Sequence, residues 1–500
     1  MERLLDQGRT CWRLERATRA ALLMENATYF RAAKAAMRNA RRSIWLLGWT
    51  FDSRTRLEPV AGEPGADREL GAGRERGDAI GLFLRKLAAS RPELDVRVLV
   101  WQSQVAVSMS QGGYPQRATT EFIGSRVNFK LDDRTPFGAC HHQKVLIVDG
   151  VLAFCGGGDF SIDRWDTPLH RDRDEGRRMP NGKLHAPRHE VMMMVEGPVA
   201  VALSQLFRER WRVAVKELPR NPAQEETASP WPDGFAAEFE DVEVGIARTE
   251  PAWRGRHDAD EIEALHVRSI VLAERSIYLE NQYITSPVIA DLLAKRLGEP
   301  DGPEVVIVST QHSPSWFDQT TMDRARNQFV ARLQAADRHG RFHAYTPLTA
   351  GRECVIVHSK VSIIDDRLVR AGSANLNSRS GGFDTECDLA IEAEEGDETV
   401  PRVIRAFRHR LISHYIGATS EAFAEAVQRL GSMGAAVEAL DDPDARRLKP
   451  FVPRGKSLLS RFVARWGIGD PAGPHDAWRP WRRHEALREE RARLRHLALD

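Results

Sequence analysis

The chain has 500 residues, with 72 Lys and Arg against 71 Asp and Glu, so its formal net charge is only +1. That balance argues against a wholesale basic sleeve for nucleic acid and leaves room for no more than a local basic groove. With 42% hydrophobic and 29% charged residues, and no apolar run of membrane-spanning length, the composition is that of a globular protein with a well-buried core.

Residues Ala27 to Ala40 carry Phe30, Ala33, Ala36, Met37 and Ala40 at helical spacing, and Ser43 to Trp49 follows as an apolar strand. Thr55 to Asp78, rich in Gly, Glu and Arg, reads as a surface loop. A helix over Ile80 to Ala89 and a strand over Asp95 to Trp101 come next. The same order returns later, with a helix over Glu263 to Ala273, a strand over Ser276 to Glu280, a helix over Val288 to Leu297 and a strand over Val305 to Val308. Local text repeats with it: Ala40-Arg41-Arg42-Ser43-Ile44 matches Ala273-Glu274-Arg275-Ser276-Ile277. Helices and strands alternating in two copies predict an α/β protein of two similar mixed-sheet halves related by a pseudo-twofold. The proline-rich segment Leu218 to Asp233 divides them, giving halves over residues 1–225 and 226–420, the second opened by a strand over Val242 to Ile246. A short helical, basic appendage is expected over 421–500.

Cys11, Cys140, Cys155, Cys354 and Cys387 form no C-x-x-C pair and are odd in number. They read as small buried hydrophobes of a reducing compartment rather than a disulfide or zinc framework. The first residues, Met1 to Asp6, show no long apolar signal region, so a cytoplasmic protein is expected, free or peripheral on a membrane.

The chemistry concentrates in two strings. His142-Gln143-Lys144-Val145-Leu146-Ile147-Val148-Asp149 and His358-Ser359-Lys360-Val361-Ser362-Ile363-Ile364-Asp365 share the pattern H-x-K-x4-D. Strand periodicity puts His142 and Lys144 on one face, and His358 and Lys360 likewise. Six residues separate Asp149 from Gly156-Gly157-Gly158-Asp159, and six separate Asp365 from Gly372-Ser373-Ala374-Asn375. Small residues there allow a tight turn and close approach to a ligand. Asn375 can donate to a phosphoryl oxygen, whereas ionised Asp159 cannot and is expected to orient a histidine or lysine. Glu190 and Glu386 each precede a further apolar strand and are expected to orient the catalytic imidazoles, each serving the opposite half. One H-x-K-x4-D string alone is weak; two, each with the same downstream text in a duplicated unit, point to catalysis. Asp149 and Asp365 fit a structural task as well as a catalytic one, and His141 reads as structural.

Two imidazoles and two ammonium groups around one anionic centre suit phosphodiester cleavage. Lys144, Lys360 and Asn375 would stabilise the phosphoryl oxygens, one histidine would attack phosphorus, and the other would protonate the leaving oxygen and then activate water or an alcohol. No metal or other cofactor is required by this inventory.

These motifs resemble the phospholipase D superfamily, whose hallmark is the duplicated H-x-K-x4-D string. Ala153 to Phe160, Arg164 to Pro168, Ile277 to Ile284 and Gly372 to Ser380 are similar to the plant and animal enzymes, and the resemblance covers about residues 12 to 418. It implies a phospholipase D-like fold, His142 as nucleophile, His358 as general acid and base, and Lys144, Lys360 and Asn375 as phosphate ligands. Asp159, His189, Gly157, Ser373 and Gln282 are the expected substrate-facing positions. Arg188 stands where the family often has Trp, and no recognisable lipid-targeting domain precedes residue 12.

The favoured substrate is a phospholipid cut on the headgroup side, giving phosphatidic acid and an alcohol, with transphosphatidylation as a related outcome. The alternatives are a cardiolipin synthase-type transferase, a metal-independent nuclease and a non-catalytic phospholipid-binding module. Expected partners are a phospholipid surface and water or a small alcohol, with no nucleic acid and no obligate protein partner. Trp101, Tyr114, Phe122, Phe129, Phe137, Trp165, Tyr283 and Trp316 are candidates for a headgroup site and equally for the core. Basic and apolar residues alternate from Arg446 to Trp466, which suits either a membrane-facing helix or one packed on the body.

Overall fold

The computed structural model describes residues 2–59, 78–103, 108–109, 113–222, 228–313, 319, 321–453, 469–477 and 479–499. Most of the expected surface loop after Thr55, Trp316, and the basic segment from Arg454 to Trp466 lie outside the described residues. Two compact units emerge: Glu15–Arg134 with Cys140–Val244, and Met1–Leu14 with Thr135–Ala139 and Gly245–Asp500. The division therefore falls near residue 244 rather than 225, inside a strand instead of the proline-rich segment.

The amino-terminal unit contains β1 (Arg13–Met24), α1 (Asn26–Asn39), β2 (Ser43–Gly48), α2 (Ile80–Ser90), β3 (Asp95–Trp101), β4 (Val127–Asp132), β5 (Val145–Val148), β6 (Leu152–Gly156), β7 (Val191–Glu196) and α3 (Pro198–Val215). Its sheet runs β4-β3-β2-β5-β6-β7-β1. β2 pairs β3 in parallel and β3 pairs β4 in parallel, whereas β2–β5, β5–β6, β6–β7 and β7–β1 are antiparallel. A parallel neighbour demands a crossover, which α2 supplies between β2 and β3.

The chain passes to the other unit within β8 (Phe239–Glu250). There follow α4 (Glu261–Val271), β9 (Ser276–Glu280), α5 (Pro287–Gly298), β10 (Glu304–Val308), α6 (Asp323–Ala336), β11 (Phe342–Leu348), β12 (Val361–Ile364), β13 (Leu368–Gly372), β14 (Glu386–Glu392) and α7 (Thr399–Ile416). Sheet order is β11-β10-β9-β12-β13-β14, with β9–β10 and β10–β11 parallel and the other three pairings antiparallel. Order and direction repeat those of β4-β3-β2-β5-β6-β7, so the duplicated text folds into a duplicated sheet pattern. The start of α5 is capped: Ser286 Oγ accepts the Ile289 N–H at 3.3 Å and Pro287 occupies the first turn.

Each unit has its own core. Phe30 and Met37 of α1 pack with Ile44, Leu46, Val96, Val98, Leu146 and Val148 in one. Ile270, Ile277, Leu279, Leu293, Val305, Ile307 and Ile364 pack in the other. Burial of each such side chain contributes about 1.5–3 kcal/mol, which fixes the strands that carry the motifs.

The residues expected as a helical appendage do form helices, at Ser420–Leu430, Met433–Ala439 and Arg483–Leu499. They also form a strand, Arg447–Pro450, which pairs antiparallel with β11 and extends the sheet, so this part of the expected appendage is built into the second unit. Cys11, Cys140, Cys155 and Cys387 are buried and Cys354 is exposed; no disulfide joins them. Among the described residues, no helix is long and apolar enough to cross a membrane.

Candidate active site

Both motifs sit at the entry to a central antiparallel strand, β5 or β12. Lys144 is 2% exposed, and its Nζ donates to the His142 carbonyl at 2.8 Å. Lys360 is fully buried; its Nζ donates to the His358 carbonyl and lies 3.2 Å from His358 Nδ1. The x residues bond elsewhere: Gln143 Oε1 accepts from Arg210 at 3.1 Å, and the Ser359 hydroxyl donates to Glu280 at 2.7 Å. His358 is 6% exposed, and His142 is partly exposed, with the Trp49 ring edge-on at 6.3 Å and Trp101 stacked behind Trp49 at 5.9 Å.

The glycine-rich turns meet the two lysines differently. Asp159 Oδ2 lies 3.3 Å from Lys144 Nζ, and its Oδ1 accepts the Trp49 N–H at 3.0 Å. Asp159 therefore pairs the lysine of its own motif. Asn375 occupies the matching position after β13. Its backbone N–H donates to Ser380 Oγ at 3.0 Å, and its Oδ1 is buried without a hydrogen-bond partner among the described residues.

Behind these turns lie the two glutamates. Glu386 accepts the hydroxyls of Ser373 at 2.5 Å and Ser380 at 2.7 Å and is fully buried. Glu190 packs against Gly157, where any Cβ would collide with its carboxylate. Ser373 and Gly157 thus support the glutamates; the Ser373 hydroxyl also accepts the Cys387 N–H at 3.0 Å, so it is committed inward rather than to substrate. Gln282 is buried, and its carbonyl takes Arg326 Nη1 at 2.9 Å.

The motif aspartates have a backbone task. Asp149 has φ 55° and accepts the N–H groups of Arg41 at 2.9 Å, Arg42 at 2.7 Å and Ser43 at 2.9 Å. Asp365, at φ 56°, accepts those of Glu274 at 2.8 Å, Arg275 at 2.7 Å and Ser276 at 2.7 Å. Aspartate tolerates this left-handed conformation better than most residues. Of the structural and catalytic tasks open to Asp149 and Asp365, these bonds are the structural one: each satisfies the donors at the start of β2 or β9 and fixes the register of the motif strand beside it.

His189 is likewise inside the fold. It is fully buried, with Nδ1 2.5 Å from Glu25 Oε1, while His170 Nε2 lies 3.2 Å from the same oxygen and its Nδ1 3.0 Å from Asp166 Oδ2. Burial alone would raise the Glu25 carboxyl, but the charges of His189 and His170 hold it well below its ordinary value. Burial lowers His170, and Glu25 and Asp166 outweigh it, so its pKa is raised. This network anchors the strand entry at Glu190, whose N–H reaches Glu25 Oε2 at 3.2 Å. Glu25, His170 and His189 are also residue types a transition-metal ion takes. His141 belongs to a second network: its Nε2 lies 3.0 Å from Asp132, which Arg210 also binds at 2.8 Å, while Arg210 reaches Gln143 at 3.1 Å.

Sequence reasoning missed Arg370 and Asp388. Asp388 Oδ1 accepts the N–H groups of Ser373 at 2.8 Å and Ala374 at 3.1 Å, and its Oδ2 pairs Arg370. Burial pushes the Asp388 carboxyl up, against the Arg370 charge and with Glu386 adding to the rise. Gly372 is required there, since a Cβ would overlap that carboxylate. The signal available was an Arg and an Asp in otherwise apolar strands, which demands a mutual partner.

Comparison with known proteins fits this geometry. Residues 267–412 match the family model described as "Cardiolipin synthase, PLD-like domain". The chain is 24% identical to phospholipase D alpha 1 of Nicotiana tabacum, over 78% of this chain and 64% of that protein. It is 23% identical to phospholipase D A of Dictyostelium discoideum, over 78% of this chain and 35% of that one. The chain thus spans less than two thirds of the length of these relatives. In fold it is similar to a phosphatidylserine synthase from Haemophilus influenzae, with TM-score 0.53, 13% identity, and coverage of 84% of this chain and 95% of that one.

Proposed function

Because the chain belongs to the phospholipase D superfamily, we propose that it cleaves a phospholipid on the headgroup side of its phosphodiester through a covalent phosphohistidine. The observation that carries this is the repeated arrangement in which a buried lysine folds onto the carbonyl of its own motif histidine, once in each duplicated sheet.

In the proposed first step, a neutral His142 nitrogen forms a bond to phosphorus while the phosphorus–oxygen bond to the headgroup breaks. His358, protonated, gives its proton to the departing alkoxide. In the second step His358 takes a proton from water or an alcohol, whose oxygen attacks phosphorus as the nitrogen–phosphorus bond breaks. Lys144, Lys360 and Asn375 stabilise the negative phosphoryl oxygens throughout. This chemistry requires both imidazoles to reach one phosphorus from opposite sides. Glu190 and Glu386 are proposed to hold the imidazole orientations, and the inventory needs no metal ion.

Water as acceptor gives phosphatidic acid; a lipid or small alcohol gives a new phosphodiester, so a synthase-type transfer shares every residue named. Large apolar side chains exposed between Gln102 and Ala139 support a lipid surface as the substrate's source: Met109 is 73% exposed, Ile123 74% and Phe137 77%.

The test is incubation of the purified chain with mixed phospholipid vesicles and a primary alcohol, read by mass spectrometry. Phosphatidic acid and phosphatidylalcohol are expected, and both should disappear with His142→Ala or His358→Ala. No lipid turnover alongside cleavage of single-stranded DNA or RNA would replace this function with a nuclease.

A further inference from the structure

The residues from Gly469 to Arg483 grip the turn that presents Asn375. Asp470 is 5% exposed; its Oδ2 accepts the Thr285 hydroxyl at 2.8 Å and its Oδ1 the Arg379 N–H at 2.9 Å. Arg483, also 5% exposed, donates to Ser378 Oγ at 3.0 Å and to Asp476 Oδ2 at 3.2 Å. Asp476 in turn accepts the Gly473 N–H at 2.9 Å. Ala477 is buried with Phe383, and the Ala472 carbonyl lies so close to Gly382 that a Cβ there would sit 2.6 Å from it.

These contacts clamp the turn from its outer side. Its inner side is fixed by the Thr285 and Ser286 N–H groups, which donate to the Leu376 carbonyl at 2.8 and 3.0 Å, and by Ser380, which joins the Asn375 N–H to Glu386. Asp470 therefore ties Thr285, on one flank of Leu376, to Arg379 on the other. Three charged side chains buried to hold one short turn are costly unless partnered; here Arg483 pairs Asp476, and Asp470 accepts hydrogen bonds from the Thr285 hydroxyl and the Arg379 N–H. Asn375 directly precedes Leu376, the first residue the clamp holds, so a shift of the clamped residues moves its carboxamide.

We propose that Asp470 and Arg483 are positioning residues for Asn375, which makes the carboxy-terminal segment part of the phosphate-binding apparatus. The inference rests on the phosphodiester chemistry proposed for Asn375. It accounts for why residues well beyond the 267–412 family match are folded onto the second motif's turn.

The experiment uses the full chain and bis(p-nitrophenyl) phosphate, a soluble phosphodiester that reports the chemical step whatever the natural substrate. Asp470→Ala and Arg483→Met are measured alone and combined with Asn375→Ala. Each alone should lower kcat about tenfold or more, because small misplacements of a catalytic group are expensive. In the Asn375→Ala background the further loss should be under about twofold, the signature of action through that residue. Asp470→Asn, which keeps an acceptor, should retain most of the activity. Equal losses in both backgrounds, or wild-type kcat in Asp470→Ala, would overturn the proposal. Hydrogen exchange supplies an arm independent of turnover: amides of residues 376–383 should exchange faster in Asp470→Ala while Val361–Ile364 is unchanged. Unchanged protection at 376–383 would also overturn it. A wild-type chain that cleaves no phosphodiester would sink the proposed function, leaving the exchange result to decide whether the clamp exists.

Discussion

The two motif turns share a frame and differ in charge. After β6, Asp159 neutralises Lys144, and Met192 Sδ takes the Gly158 N–H at 3.1 Å. After β13, Asn375 replaces that carboxylate, and Asp388, at the position matching Met192, takes the turn's N–H groups and pairs Arg370. The first turn therefore presents a lysine already balanced by an acid. The second carries a neutral amide, Asn375, at the matching position and keeps an acid behind the turn, Asp388, paired with Arg370. Duplication preserved the scaffold, and single side chains differ in charge at matching positions of the two copies.

The largest expected effect tests what the copies share. His142→Ala or His358→Ala should lower kcat about 10³-fold or more, measured on vesicles and on a soluble diester. Next come the lysines, where the copies should part. Lys360→Met should cost about 10²–10³-fold. Lys144→Met should cost as much, yet adding Asp159→Asn should restore about tenfold, because the uncompensated carboxylate is removed. Absence of rescue would show that Asp159 does more than balance Lys144.

The aspartates should behave alike and affect stability. Asp149→Ala or Asp365→Ala leaves three backbone donors without their acceptor, and about 3 kcal/mol of stability should be lost in urea unfolding. A large difference between them would mean that the copied register anchor matters in one unit only.

A smaller effect belongs to the amino-terminal unit. The raised His170 pKa contributes stability that is complete below its ordinary 6.5 and lost as pH rises through the folded value. The depressed Glu25 pKa contributes stability that is complete above its ordinary 4.5 and lost as pH falls through the folded value. Their joint contribution should be fullest between those two values, and His170→Gln should flatten the Tm profile on the alkaline side. Smallest of all, Ile123→Glu or Phe137→Glu should weaken vesicle turnover a few-fold while leaving the soluble diester untouched.

Much of this comparison is legible in the sequence, because apolar periodicity and repeated text are local. Asp95–Trp101 forms the expected strand, and Ala27 to Ala40 the expected helix to within a residue. The match between Ala40–Ile44 and Ala273–Ile277 is visible too, and so are Asp149 and Asp365. What is not visible is that each aspartate binds the backbone of that repeated text, more than 80 residues away. The same limit hid Arg370 with Asp388, Glu25 with His189, and Asp470 with Arg379. Each is a long-range polar pair whose members look ordinary alone, since periodicity reports which face a side chain takes and not what it meets there.

The central claim is a covalent bond between His142 and phosphorus. The most direct measurement mixes the His358→Ala chain with a phosphodiester whose p-nitrophenolate leaves without a proton, then quenches at neutral pH and maps peptides by mass spectrometry. The account predicts a phosphoryl adduct on the peptide containing His142, accumulating because no general base is left to release it, and absent when His142 is also replaced. Release of p-nitrophenolate with no adduct, or an adduct carried by another residue, would contradict it.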